Sequence, residues 1–135
     1  MITNEQVLAW VKTLPVTADN YYAGVLNNKK DCSFGVYNAG DKRTDGLAIG
    51  GRQYATQAHG AKILVHWNKS TRETQDKAIA LYEAIWSANE QGNITIGDCP
   101  VSILAMPYGE PVDVGCDENG ICEYVIDFVI FYERS

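Results

Sequence analysis

The segment Ile121-Cys122-Glu123-Tyr124-Val125-Ile126-Asp127-Phe128-Val129-Ile130-Phe131-Tyr132 carries an apolar pattern on both of its alternating sets of positions. Successive side chains of a β-strand point to opposite faces. The even positions Tyr124, Ile126, Phe128, Ile130 and Tyr132 therefore share one face, which is apolar throughout and suited to a core beneath helices. The odd positions Glu123, Val125, Asp127, Val129, Phe131 and Glu133 alternate acids with bulky apolar groups. A face that met only water would have no use for Val125, Val129 and Phe131 side by side. A second packed surface is expected there, formed by another chain or by a loop of this one.

Upstream of this strand, Asp117-Glu118-Asn119-Gly120 contains Asn-Gly, the strongest short hairpin signal. It predicts that Pro111 to Cys116 pairs with the final strand. Two further strands are expected at Ile94 to Ile96 and Val101 to Met106. Before them, Ser70 and Glu73 form a capping-box pattern that opens a helix reaching about Asn89. Ala78, Leu81, Ile85 and Ala88 lie on one stripe of it, while Arg72, Glu73, Gln75, Asp76 and Glu83 fall largely elsewhere, and Gly92 closes it.

Ala61 to Trp67 reads as a buried strand. Nearer the start, Thr3 and Gln6 make another capping box, and Val7, Leu8, Val11 and Leu14 recur at helical spacing until Pro15, which predicts a helix over 4–14. Asp19 to Leu26 and Cys32 to Asn38 are aromatic and β-branched strands. The polar run Asn27-Asn28-Lys29-Lys30-Asp31 between them predicts an antiparallel hairpin. The fold class is thus α+β: one domain over 1–135, with a mainly antiparallel sheet and two helices packed on one face.

Residues 39–60 depart from this alternation. Gly40, Gly46, Gly50, Gly51 and Gly60 are spread among polar residues, with a brief apolar stop at Leu47-Ala48-Ile49. A loop or arm of that length generally carries function or meets a partner. Leu47 and Ile49 therefore join Val125, Val129 and Phe131 as candidate subunit-interface residues.

The 135 residues fit a single domain. Eight Tyr, three Trp and three Phe are too many for a disordered chain. Eleven basic against seventeen acidic residues give a net charge of −6, which repels polyanions and argues against a stand-alone nucleic-acid binder. The amino terminus lacks a signal-peptide pattern, so assembly in a reducing cytoplasm is expected, with Cys32, Cys99, Cys116 and Cys122 as thiols.

The signatures of catalysis are missing from the sequence. The Gly-rich stretch has neither a GKS or GKT ending nor the spacing of a dinucleotide fingerprint. His59 and His66 stand in no nucleophile motif, and the cysteine spacing has no C-x-x-C for zinc. Glu123 with Asp127, or Asp113 with Asp117, would lie about 13 Å apart along one strand, too far to share a proton or an ion unaided. No catalytic, cofactor-binding or metal-binding residue is expected, and the protein is read as no enzyme. A ligand-binding domain or small enzyme lined by Arg52, His59 and His66 is the alternative from another class.

Three stretches resemble one family. They are Tyr21-Tyr22-Ala23-Gly24-Val25-Leu26-Asn27-Asn28-Lys29-Lys30, then Ile63-Leu64-Val65-His66-Trp67-Asn68-Lys69-Ser70, and Glu110-Pro111-Val112-Asp113-Val114-Gly115 with Asn119-Gly120 and Tyr124 to Arg134. Together they look like the bacteriophage minor capsid protein family of the head-tail joining region, similar to siphophage tail terminators. The resemblance implies a structural subunit of the virion neck, assembled in the host bacterial cytoplasm. Such a subunit forms a ring, commonly a hexamer, that caps the tail tube and meets head-completion proteins. Genome DNA passes through without specific binding, and no membrane or cofactor is involved. A head-completion or stopper protein is the alternative within the same class.

A closed ring needs two different patches per subunit that meet head to tail. The odd face of the last strand and the 39–60 arm are the candidates for these patches. Glu123 and Asp127 are candidate channel-facing acids, because a repulsive lining lets DNA slide.

Overall fold

The computed structural model describes residues 2–24, 31–38, 56–106 and 109–133. Its elements in chain order are α1 (Asn4–Val11), β1 (Asn20–Ala23), β2 (Ser33–Asn38), β3 (Thr56–His66), α2 (Thr71–Gln91), β4 (Thr95–Ile96), β5 (Cys99–Ala105), β6 (Val112–Cys116) and β7 (Cys122–Glu133). The fold is α+β: a single curled sheet runs β1-β2-β3-β7-β5-β4, with β6 also paired to β7.

The centre of the sheet is the long β3–β7 ladder, which is antiparallel from Thr56↔Glu133 to His66↔Glu123. The other edge of β7 is covered in two pieces. β5 pairs with its carboxyl-terminal part, from Val129 to Tyr132, and β6 with Cys122 to Val125. The even face of β7 is core as the alternation requires, with Tyr124, Ile126, Phe128, Ile130 and Tyr132 all buried. They join Phe34, Val36, Ala61, Ile63 and Val65 from the neighbouring strands in one cluster. Both helices close that cluster: α1 brings Val7, Leu8, Trp10 and Val11, and α2 brings Ala78, Leu81 and Ile85. The Trp10 and Phe128 rings stand 6.3 Å apart at the contact between α1 and the sheet.

The helix starts follow local chemistry. At α1 the Thr3 and Gln6 box is complete in both directions, at 3.2 and 3.0 Å. The helix ends at Val11 and its chain continues as a tight turn in which Thr13 and Leu14 donate to Trp10 and Val11 carbonyls, so Leu14 still reaches the core. At α2, Ser70 Oγ accepts from Glu73 N–H at 3.1 Å, but the return arm of the expected box is taken over by Asn68. Asn68 Nδ2 donates to Glu73 Oε1, and Asn68 Oδ1 accepts from Ser70 N–H. Gly92 ends α2 at φ 74°.

Two expectations are corrected. β1 and β2 are parallel, in register from Asn20↔Ser33 to Ala23↔Val36. The apolar alternation places Tyr21 on the same face as Phe34, with edge-to-face rings 5.9 Å apart, but it is silent on strand direction. Direction is set where the chain re-enters: Cys32, at φ 57°, donates to the Trp67 carbonyl and accepts from Asp19 and Asn20 N–H. This starts β2 beside the beginning of β1. Second, Cys116 and Cys122 form a disulfide, while Cys32 and Cys99 are thiols. The register makes Cys116 and Cys122 direct partners at the mouth of the turn, a proximity that spacing in sequence does not reveal.

The last five residues of the 39–60 arm, Thr56 to Gly60, extend β3. Leu47, Ile49, Arg52 and the rest of 39–55 lie outside the described residues.

Candidate interaction surfaces

Val125, Val129 and Phe131 project together from the side of the sheet opposite the helices. Val125 is buried, and Val129 and Phe131 are half-buried. Cross-strand partners share a face in an antiparallel pair, so Leu64 and Val112, each opposite Val125 in register, extend the apolar strip. Val112 is 38% exposed, and Val114, at the irregularity in β6, is 50% exposed.

A second apolar surface lies on the helix layer, and the sequence patterning missed it. Ile79, Tyr82 and Trp86 each follow a buried position of α2, namely Ala78, Leu81 and Ile85, and so form a stripe about 100° further around the helix. Ile79 is 38% and Trp86 47% exposed. A groove beside this stripe is lined by Tyr82, Trp86, Met106 and Gly109, and a neighbouring one by Ile79, Pro111 and Val112. The signal was available: the apolar width of the helix exceeds the single stripe that a flat-lying helix requires.

The two candidate acids take different positions. Glu123 Oε2 lies 2.7 Å from His66 Nδ1, and the Glu123 side chain is only 12% exposed. Its carboxylate is thus engaged at the end of the ladder. Asp127 stands opposite Lys62 in register, half-buried, and its Oδ1 is buried without a hydrogen bond among the described residues.

His59 and His66 project from opposite faces of β3, roughly 23 Å apart by strand rise. They converge on no common cleft. His59 shares the core face with Ile130, and burial lowers its pKa below the usual 6.5. The Cys32 thiol is pushed up, first by burial and then by Asp19 and Asp31, which disfavours the reactive thiolate. Tyr124 is raised by burial and by Asp113 and Glu110. Among the described residues, no helix is long and apolar enough to cross a membrane.

The chain matches no family model and no curated protein.

Proposed function

We propose that this chain is a non-enzymatic structural subunit that works by joining to copies of itself and to neighbouring proteins. In its specific form it is a ring-forming tail-terminator subunit of a phage neck. The observation that carries the first part is the pair of separate apolar surfaces on opposite layers of one domain. One is the half-buried Val129 and Phe131 pair on the sheet, and the other is the Ile79, Tyr82 and Trp86 stripe on α2. Two unlike patches are what a head-to-tail ring consumes. The specific form rests on the resemblance of the three sequence stretches to the minor capsid family.

In this reading the tail tube protein lies below the ring and head-completion proteins above it, and the acidic balance of the chain eases passage of DNA. Sedimentation velocity over a wide concentration range, followed by negative-stain imaging of the chain alone and with tail tubes, tests it. Closed rings, or caps on tube ends, are expected. A chain that stays monomeric at high concentration and leaves tube ends bare overturns it, and rings that bind only head connectors assign the stopper role instead.

A further inference from the structure

Three potential ligand atoms converge at one end of the β3–β7 ladder, on the face that carries Leu64 and Val125 and just beyond them. His66 closes β3, Asp117 opens the turn between β6 and β7, and Glu123 is the second residue of β7. Nδ1 of His66 lies 2.7 Å from Glu123 Oε2 and 4.0 Å from Asp117 Oδ2, and one atom from each of the three lies within 4.8 Å of the others. We propose that this triad binds a single transition-metal dication, with Zn2+ the best fit.

The backbone holds all three in place before any metal arrives. His66 and Glu123 are direct register partners. Trp67 N–H donates to the Cys122 carbonyl and Cys122 N–H to the Asn68 carbonyl, which locks the strand ends on either side. Asp117 Oδ1 accepts from Asn119 and Ile121 N–H at 2.9 and 3.0 Å, which fixes its carboxylate and turns Oδ2 toward His66. The Cys116–Cys122 disulfide staples the base of the same turn.

The distances suit a metal. Zinc bonds to imidazole nitrogen and carboxylate oxygen are about 2.0–2.2 Å, so tetrahedral ligands sit about 3.3 Å from one another. The two His66 distances of 2.7 and 4.0 Å bracket that value, and all three atoms lie within 4.8 Å of one another, so side-chain adjustment without backbone movement brings them to it. A carboxylate only accepts hydrogen bonds, so the short contact to Glu123 means that Nδ1 carries the hydrogen. A dication takes the place of that hydrogen, and the proton leaves to solvent. One imidazole with two carboxylates is a borderline donor set, with too few oxygens for Ca2+ and a nitrogen that Mg2+ does not favour. His66 is 2% exposed, and the Asp117 and Glu123 side chains are 22% and 12% exposed, so one side remains open for the ion to enter and for water to complete its shell.

The test uses the full chain after chelator treatment, titrated with Zn2+ by calorimetry, with Mg2+ and Ca2+ as controls. One Zn2+ per chain is expected, with a raised melting temperature and little response to the controls. Asp117→Asn, which keeps the Oδ1 acceptor, and Glu123→Gln should each weaken Zn2+ binding at least tenfold. As a measurement on the unaltered chain, the ring resonances of His66 should move on adding Zn2+ while those of His59 stay. Absence of Zn2+ binding at micromolar concentration, binding that both variants retain, or an unmoved His66 ring overturns the proposal.

Discussion

The Trp86 ring stacks on that of Tyr82, with centroids 6.3 Å apart and planes 17° from parallel, on a flank of α2 that the sheet does not cover. Nearly half of Trp86 is exposed at 47%, and it lies outside the core beneath α2. Trp86→Ser is expected to lower the unfolding free energy by about 2–3 kcal/mol, from the buried half of the ring and its stacking on Tyr82, with the domain still folded, while weakening self-association at least tenfold. Paired denaturant melts and sedimentation runs separate the two effects. An assembly that withstands the change removes α2 from the interface.

On the other surface, Val129→Asp and Phe131→Asp place a charge on the strip opposite the helices. Both side chains are half-buried. If the strip serves assembly, each variant remains folded by circular dichroism and loses ring formation. Unfolding instead would assign the odd face of β7 to this chain's own core.

Much of the fold is legible in the sequence because β7 states both its period and its register. Tyr124, Ile126, Phe128, Ile130 and Tyr132 fix the core face, and Asn119-Gly120 fixes its hairpin partner. What stays hidden is whatever depends on direction or on closure in space. Alternation in Tyr21 and Ala23 or in Phe34 and Val36 is the same whether β1 and β2 run parallel or antiparallel, so the parallel pairing is not written there. The His66, Asp117 and Glu123 cluster escapes for a related reason. Acids four apart on a strand diverge, whereas Asp117 and Glu123 are brought together by the fold of the turn between them, and their partner is more than fifty residues earlier in sequence.

Gly120 takes φ +82° at the β6–β7 turn, with no atom within 4 Å of where a Cβ would stand. Gly120→Ala therefore incurs backbone strain without a clash. A loss of about 1–2 kcal/mol is expected from the left-handed conformation alone, read as a lower melting midpoint with an unchanged denaturant slope. A neutral result would mean that the turn relaxes to another type.

At the start of α2, Ser70→Ala removes the acceptor for Glu73 N–H. The expected loss is about 1 kcal/mol. Asn68→Ala should cost a comparable amount, because Asn68 holds both Ser70 N–H and the Glu73 carboxylate. Since the two side chains share Glu73, the double variant is expected to lose less than the sum of the single losses, which a double-mutant cycle measures.

His59 gives the stability a pH dependence of definite sign. Burial on the core face lowers its folded pKa below 6.5, and its Nε2 is buried without a hydrogen bond among the described residues. Between the folded and unfolded pKa values the unfolded chain binds more protons, so stability rises with pH across that window. The penalty for charging His59 is absent above about pH 6.5, the unfolded reference. It grows as pH falls below that value and levels off once pH is under the folded pKa. His59→Leu keeps an apolar side chain beside Ile130 and cannot titrate. The difference in unfolding free energy between variant and parent should therefore widen in the variant's favour from pH 7 to pH 5, with the carboxylate contributions common to both chains cancelling. A difference that stays flat over that range would mean that the His59 ring is solvated in the folded chain.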